Sequence, residues 1–283
     1  MIEPRSILNH RGSAVIDTKE GGNSVKDIRL LVFLSVVLFS VAVPARAASY
    51  YPMRLEDAKA VYLTSDSFPV HGDGKADDSA AIQAAIDRAA EHGDGIVFVP
   101  SGRYRVTRSI FVWPAVRVIG YGTTRPVFVL ADNTPGYQQG LGYMFVFAGG
   151  REHNSRWFDR VTGKMASLIE GTVPADALIP DANASTFYSA MSNVDFEIGQ
   201  GDTAAVAIRF HVAQHSYLAH MDFRIGSGLA ALKDVGNEAE DLHFYGGQYG
   251  IVTVKPSPGW QFTLLDSSLT GRARRRSKSK RQG

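Results

Sequence analysis

The feature that most restricts the fold is a repeat. Ser192-Asn193-Val194-Asp195-Phe196-Glu197-Ile198-Gly199 is echoed by Ala219-His220-Met221-Asp222-Phe223-Arg224-Ile225-Gly226, 27 residues on. Glu240-Asp241-Leu242-His243-Phe244 follows after 21, and Phe262-Thr263-Leu264-Leu265-Asp266 reads as a fourth copy 22 further along. Alternating segments, 205–210, 229–234 and 249–254, lie between the copies. A sandwich would place strands every 8–12 residues or so. A period of about 24 instead fits a solenoid, in which each turn buries its inward residues only against its neighbours. Val194/Phe196, Met221/Phe223 and Leu242/Phe244 are then expected to stack as inward ladders.

The start of such a stack is legible in residues 70–106. His71-Gly72-Asp73-Gly74-Lys75-Ala76-Asp77-Asp78 is a polar turn, and Asp77 or Asp78 can cap the helix predicted over 79–90. Ala81, Ile82, Ala85, Ile86 and Ala89 make one narrow apolar stripe on it. Ile96-Val97-Phe98-Val99 and Arg103-Tyr104-Arg105-Val106 follow as strands around Pro100-Ser101-Gly102. A dinucleotide site needs strand, glycine loop, helix in that order, and the order here is turn, helix, strand.

GDGKADDSAAIQAAID followed by GIVFVPSGRYRV resembles the N-terminal cap of the pectate-lyase superfamily of right-handed parallel β-helices. Later motifs narrow the resemblance: Thr186-Phe187-Tyr188 before Asn193, Val212-Ala213-Gln214 with Ser216 and Leu218, Gly246-Gly247 with Tyr249-Gly250-Ile251, and Trp260-Gln261-Phe262-Thr263. They are similar to the N-terminal β-helix of glycoside hydrolase family 55, β-1,3-glucanases with two side-by-side β-helices. The expected fold class is all-β: a right-handed parallel β-helix (solenoid) over residues 48–270 with an N-terminal capping α-helix.

Composition separates this body from both ends. The 283 residues carry a formal +2. Seven positive charges fall in residues 271–283 and a net +2 in residues 1–47, which leaves −7 for the body. An acidic body gives no reason to expect nucleic acid as a partner. The tail from Gly271 has almost no apolar residue and is expected to be disordered. It reads either as an arm for an anionic surface or as sequence from a shifted frame. Leu30 to Val43 is a run of fourteen apolar or small residues behind Lys26 and Arg29. It is short of the roughly 20 that span a bilayer, and Ala45-x-Ala47 follows as a signal-peptidase pattern. Residues 1–47 therefore read as an extension and export signal, with an uncleaved anchor as the alternative. The expected location is secreted or periplasmic in a bacterium, without stable membrane insertion after cleavage. The absence of cysteine excludes disulfides, thiolate metal sites and a cysteine nucleophile.

Glycoside hydrolysis generally uses two carboxyl groups about 5–10 Å apart. Asp195 and Asp222 hold the same place in successive copies, on rungs about 4.8 Å apart, and face outward. They read as a catalytic pair or as solvated surface carboxylates. Asp77 and Asp78 are explained by capping. His211, His215 and His220 cluster, but no carboxylate lies at a matching spacing, so neither metal nor cofactor is expected. The resemblance implies that Gln214 positions the attacking water; a glutamine ladder between rungs is the alternative. It also implies that the general acid is a glutamate of a second β-helix, for which this chain leaves no room. The Arg-x-Lys and Gly-His-Gly signatures of polygalacturonases are absent. Tyr188, Tyr245, Tyr249 and Trp260 are candidates for stacking on sugar rings, and residues 132–190 read as a long insertion able to wall a groove. The expected partner is a polysaccharide, a β-glucan or a pectin-like chain. The expected function is that of the first half of a β-1,3-glucan hydrolase, catalytically incomplete as it stands. A non-catalytic glycan-binding or tailspike-like module and a pectate-lyase- or polygalacturonase-like enzyme are the alternatives.

Overall fold

The computed structural model describes residues 48–91, 95–148, 156–159, 164–167, 186–253 and 262–271. The expected export signal, the basic tail and Trp260 lie outside the described residues. The rungs all belong to the compact unit Arg46–Gly283.

The chain winds into a right-handed parallel β-helix with three faces. The first face carries Val61–Tyr62, Ile96–Pro100, Arg117–Tyr121, Ala190–Ser192, the opening of Tyr217–Gly226, the opening of Asn237–Gly246, and Phe262–Leu265. The second carries Asp73–Asp77, Arg103–Arg105, Val127–Leu130, Asp195–Ile198, the remainders of the two long strands, and Ser268–Thr270. Ile110–Val112, Gly142–Phe147, Ala205–Arg209, Ala230–Lys233 and Tyr249–Val252 form the third. Pairing within each face is parallel throughout. In the first rung the helix Ser79–Glu91 stands where later rungs place a third-face strand. Its buried stripe of Ala81, Ile82, Ala85, Ile86 and Ala89 closes that end of the core. Small residues there let the helix sit close to the strands.

The expected ladders are present. Phe196 pairs in register with Phe223, and Phe223 with Phe244. Their rings stack at 5.4 and 5.3 Å, and Phe128 continues the column at 5.5 Å from Phe196. Phe145 from the third face wedges against Phe128 and Phe196.

Two corners are cut by residues in the left-handed region. Asn193, His220, Asp241 and Asp266 (φ 55°, 57°, 51° and 44°) turn the chain from the first face to the second. Ala115, Tyr188, His215 and Asn237 (φ 62°, 60°, 60° and 58°) mark the entry to the first face. Asn, Asp and His tolerate this conformation better than most residues. The corner column corrects the expected fourth copy. Asp266, not Phe262, follows the repeat, because His243 pairs with Ser268 and Phe244 with Leu269, an offset of 25. Phe262 pairs instead with Asn237.

Three further expectations change. The Gly72–Asp78 segment is not a turn throughout: Asp73–Asp77 is extended and pairs in parallel with Arg103–Arg105. The insertion does not begin at 132, because Tyr137 and Tyr143 are core residues and Gly142–Phe147 is a third-face strand. Of Asp77 and Asp78, it is the Asp77 carboxylate that meets the start of the helix. Asp77 accepts hydrogen bonds from the Ser79 N–H (3.0 Å), the Ser79 hydroxyl (2.5 Å) and the Thr107 hydroxyl (2.7 Å). Asp78 turns back to accept from the His71 and Gly72 amides. Partial burial alone would raise the Asp77 pKa, but these donors outweigh it and hold the carboxyl low. Asp77→Ala should therefore lose about 1–2 kcal/mol. The loss should be full above the ordinary carboxylate range and shrink as the pH falls through the depressed native value. Urea titrations at pH 7 and pH 3 check it; an equal loss at both would reject the charged cap.

Candidate functional site

On the first face the outward side chains make a furrow in two connected parts. One hollow, of about 200 Å³, is lined by Tyr51, Ser192, Tyr217, Leu218, Ala219, His220, Glu238 and Glu240. The other, of about 270 Å³, is lined by Gln214, His215, Ser216, Asn237, Glu238 and Thr263. Glu238 belongs to both. Strand alternation explains the lining: Glu238 and Glu240 point out, while Ala239 between them is buried. Glu238 and Tyr217 are register partners on adjacent rungs.

Residues 48–51 form a strap beside the furrow. Ala48 bridges Thr124, the Gly122 N–H donates to the Tyr51 carbonyl at 2.8 Å, and the Tyr50 N–H donates to Asn193 Oδ1 at 2.7 Å. The Tyr50 ring lies flat on His220 with centroids 4.0 Å apart. These ties hold Tyr51 at the furrow wall.

Gln214 lines the furrow, and its buried Oε1 has no hydrogen-bond partner among the described residues. Tyr188 is its neighbour through the backbone, its N–H donating to the Gln214 carbonyl at 3.3 Å. The Tyr188 ring stacks on His215 at 5.0 Å. The other candidates are elsewhere. Tyr245 is on the second face with the Arg224 guanidinium 5.2 Å above its ring. Tyr249 opens a third-face strand and is exposed.

Asp195 and Asp222 correct the surface reading. They are adjacent and outward, but only 1% and 2% exposed. Arg125 lies against both, with Nε 2.8 Å from Asp195 Oδ1 and Nη2 2.6 Å from Asp222 Oδ1, off the ideal hydrogen-bond axes. Arg224 closes on the other oxygen of Asp222 at 3.0 Å. Asp195 also accepts from the Asp222 N–H at 2.9 Å. Burial outweighs Arg125 and pushes the Asp195 carboxyl up to about 6. The pair is thus an ionic knot out of solvent, without room for a sugar between its carboxylates. The three histidines also separate: His211 sits by Arg209, His215 under Tyr188, and His220 at the corner beside Asp241.

Sequence reasoning missed Glu238, Glu240, Tyr51 and Tyr217. Glu238-x-Glu240 is a period-two pattern, and aligning it with Tyr217 through the 21-residue offset would have found one wall of the furrow.

Residues 65–271 match the family described as rhamnogalacturonase A/epimerase, pectate lyase-like. The chain belongs to that family. Among similar proteins, alginate lyase 7 of Azotobacter vinelandii is 42% identical over 72 residues, covering 23% of this chain and 8% of the lyase. Mannuronan C5-epimerase AlgE1 of the same organism is 37% identical over 123 residues, 38% of this chain and 9% of the epimerase. A probable glucan endo-1,3-beta-glucosidase of Arthroderma benhamiae is 24% identical over 210 residues, 67% of this chain and 21% of that protein. The chain thus spans a small part of the length of these relatives. The A-module of the Azotobacter vinelandii epimerase AlgE4 overlays with a TM-score of 0.40 at 13% identity, covering 73% of this chain and 50% of that one. This pectate lyase-like β-helix is a carbohydrate-active type of scaffold, and no helix among its described residues is long and apolar enough to cross a membrane.

Proposed function

We propose that the first-face furrow binds a neutral polysaccharide of the β-1,3-glucan type and that the protein acts outside the cytoplasm. The observation that carries this is the furrow's charge. Glu238 and Glu240 line it, and among the described residues no lysine or arginine does. Two carboxylates repel a polyuronate chain, whereas they accept hydrogen bonds from the hydroxyls of a neutral one. Tyr51, Tyr217 and the Tyr188–His215 stack offer flat apolar faces for pyranose rings. Gln214 Oε1 is a buried acceptor without a partner among the described residues, which an ordered water reaching in from the furrow can satisfy. The similarity to the glucosidase, which runs over two thirds of the chain, supports the same substrate class. Export rests on the Leu30–Val43 run and the Ala45-x-Ala47 pattern.

Gln214 can place a water but cannot give a leaving group its proton, and inverting hydrolysis needs both. The chain should therefore bind laminarin and cleave it at less than about 1 s⁻¹, the low end of ordinary turnover. Calorimetry with laminarin, alginate and polygalacturonate tests the binding. Laminarin should bind, with a several-fold loss in Tyr217→Ala, and the two uronans should not. Tighter binding of either uronan would overturn the reading. Glu238 and Glu240 favour a hydrolytic alternative, since Cα atoms two apart on a strand lie about 6.8 Å from each other, near the spacing of an inverting pair. Fast reducing-sugar release that is lost in Glu240→Gln would establish that alternative.

A further inference from the structure

At the corner between the first and second faces, four side chains form one hydrogen-bonded file. Ser268 Oγ lies 2.7 Å from His243 Nδ1. His243 Nε2 lies 2.9 Å from Asp241 Oδ1, and the other oxygen of Asp241 is 2.9 Å from His220 Nδ1. His220 is in turn fixed under the Tyr50 ring. The file has a hydroxyl, a base in contact with it, and a carboxylate orienting the base. That is the arrangement by which an otherwise weak hydroxyl becomes a nucleophile. We propose that Ser268, His243 and Asp241 form an ester-hydrolysing site whose substrate class is a small O-acyl ester. The proposal is independent of the glucan reading.

The surroundings fit this chemistry. Ser268 is exposed and faces outward beside Tyr245 and Thr270, which are register partners. The Tyr245 ring gives an acyl group an apolar wall. The neighbouring Ser267 hydroxyl is already engaged, donating to the Leu265 carbonyl and accepting from the Leu242 N–H. Burial would raise the Asp241 pKa, but the two imidazoles outweigh it and keep the carboxyl low, as an orienting carboxylate must be. Among the described residues, Ser268–Thr270 pairs only with Asn237–Gly246.

The step balances as follows. Ser268 Oγ bonds to the ester carbonyl carbon and its proton passes to His243 Nδ1. The carbon–oxygen bond to the alcohol breaks, and the alcohol leaves with the proton from His243. A water then gives a proton to the same nitrogen and bonds to the acyl carbon, the bond to Ser268 Oγ breaks, and His243 returns the proton to that oxygen as the acid leaves.

The test uses a fluorophosphonate probe and p-nitrophenyl acetate on the full chain. Mass mapping of the folded wild-type protein should place the phosphonate on Ser268. Ser268→Ala should abolish labelling, and His243→Gln should slow both labelling and ester hydrolysis by about 10²-fold or more. Because the mapping is done on the wild type, it remains decisive even where a variant fails to fold. An unlabelled protein, a label on another residue, or hydrolysis unchanged in folded Ser268→Ala would overturn the proposal and leave the file as a structural ladder.

Discussion

Arg125→Met should cost the fold about 3–5 kcal/mol at neutral pH, the usual loss when one member of a buried ion cluster is removed. Arg125 separates Asp195 from Asp222 where neither reaches solvent, and of the two carboxylates Arg224 pairs with Asp222. Without Arg125, Asp195 would face a second carboxylate across a dry gap. The pH dependence gives the test its sign. The Asp195 carboxyl is raised to about 6 in the native state, mainly by burial. Its contribution is therefore complete below its unfolded value and is lost as the pH rises through about 6. Removing the arginine should push that carboxyl higher still and widen the window. Urea unfolding at pH 5 and pH 8 should show the variant closer to wild type at pH 5. A loss below about 1 kcal/mol at pH 8, the range of an exposed pair, would mean that the cluster is effectively solvated.

Phe223→Ala should be comparably damaging, by about 3–5 kcal/mol. Phe223 is fully buried at the middle of the aromatic column, with Phe196 on one side and Phe244 on the other. Deleting its ring opens a cavity between two rungs and uncouples them, and in a solenoid the coupling between neighbours carries much of the stability. Phe244→Ala should cost less, because the next inward residue, Leu269, is 71% exposed and the column is already loosening there. Equal losses, or broken two-state unfolding only in Phe244→Ala, would contradict this. Chemical denaturation followed by intrinsic fluorescence measures both variants.

Inward positions were legible because they obey two simple periods at once, alternation along a strand and recurrence between rungs. Phe196, Phe223 and Phe244 satisfy both. The helix was legible from its cap and its alanine stripe. Outward positions were only half legible. Alternation gives the side on which Asp195 and Asp222 lie, but not what covers them. Their burial depends on Arg125, some 70 residues before Asp195, which no local pattern brings to mind. The fourth copy slipped for a related reason. Matching Phe262 to earlier aromatics followed residue type, whereas the chain keeps its place by the left-handed residue at the corner, Asp266. Gln214 and Tyr188 were found and do lie together, while Tyr245 and Tyr249 share only their exposure. The furrow's carboxylates were missed because a glutamate on a strand looks like any solvated face until its neighbours are known.

The entry corner has a consequence for how such a protein can change. The chain leaves the third face at Phe147 and rejoins the first at Ala190, yet Ala190 still pairs with Arg117 and Met191 with Val118. An excursion of this length has been accommodated with Ala190–Ser192 still in register on the rung before it. Chain closure explains the tolerance, since each doubling of a connection's length adds only about 0.6 kcal/mol. The place of insertion lies next to Tyr188 and His215, at the lip of the furrow. New sequence can therefore be grafted, lengthened or exchanged at the one edge where it would meet a bound chain. Recognition can diverge there while the scaffold stays fixed.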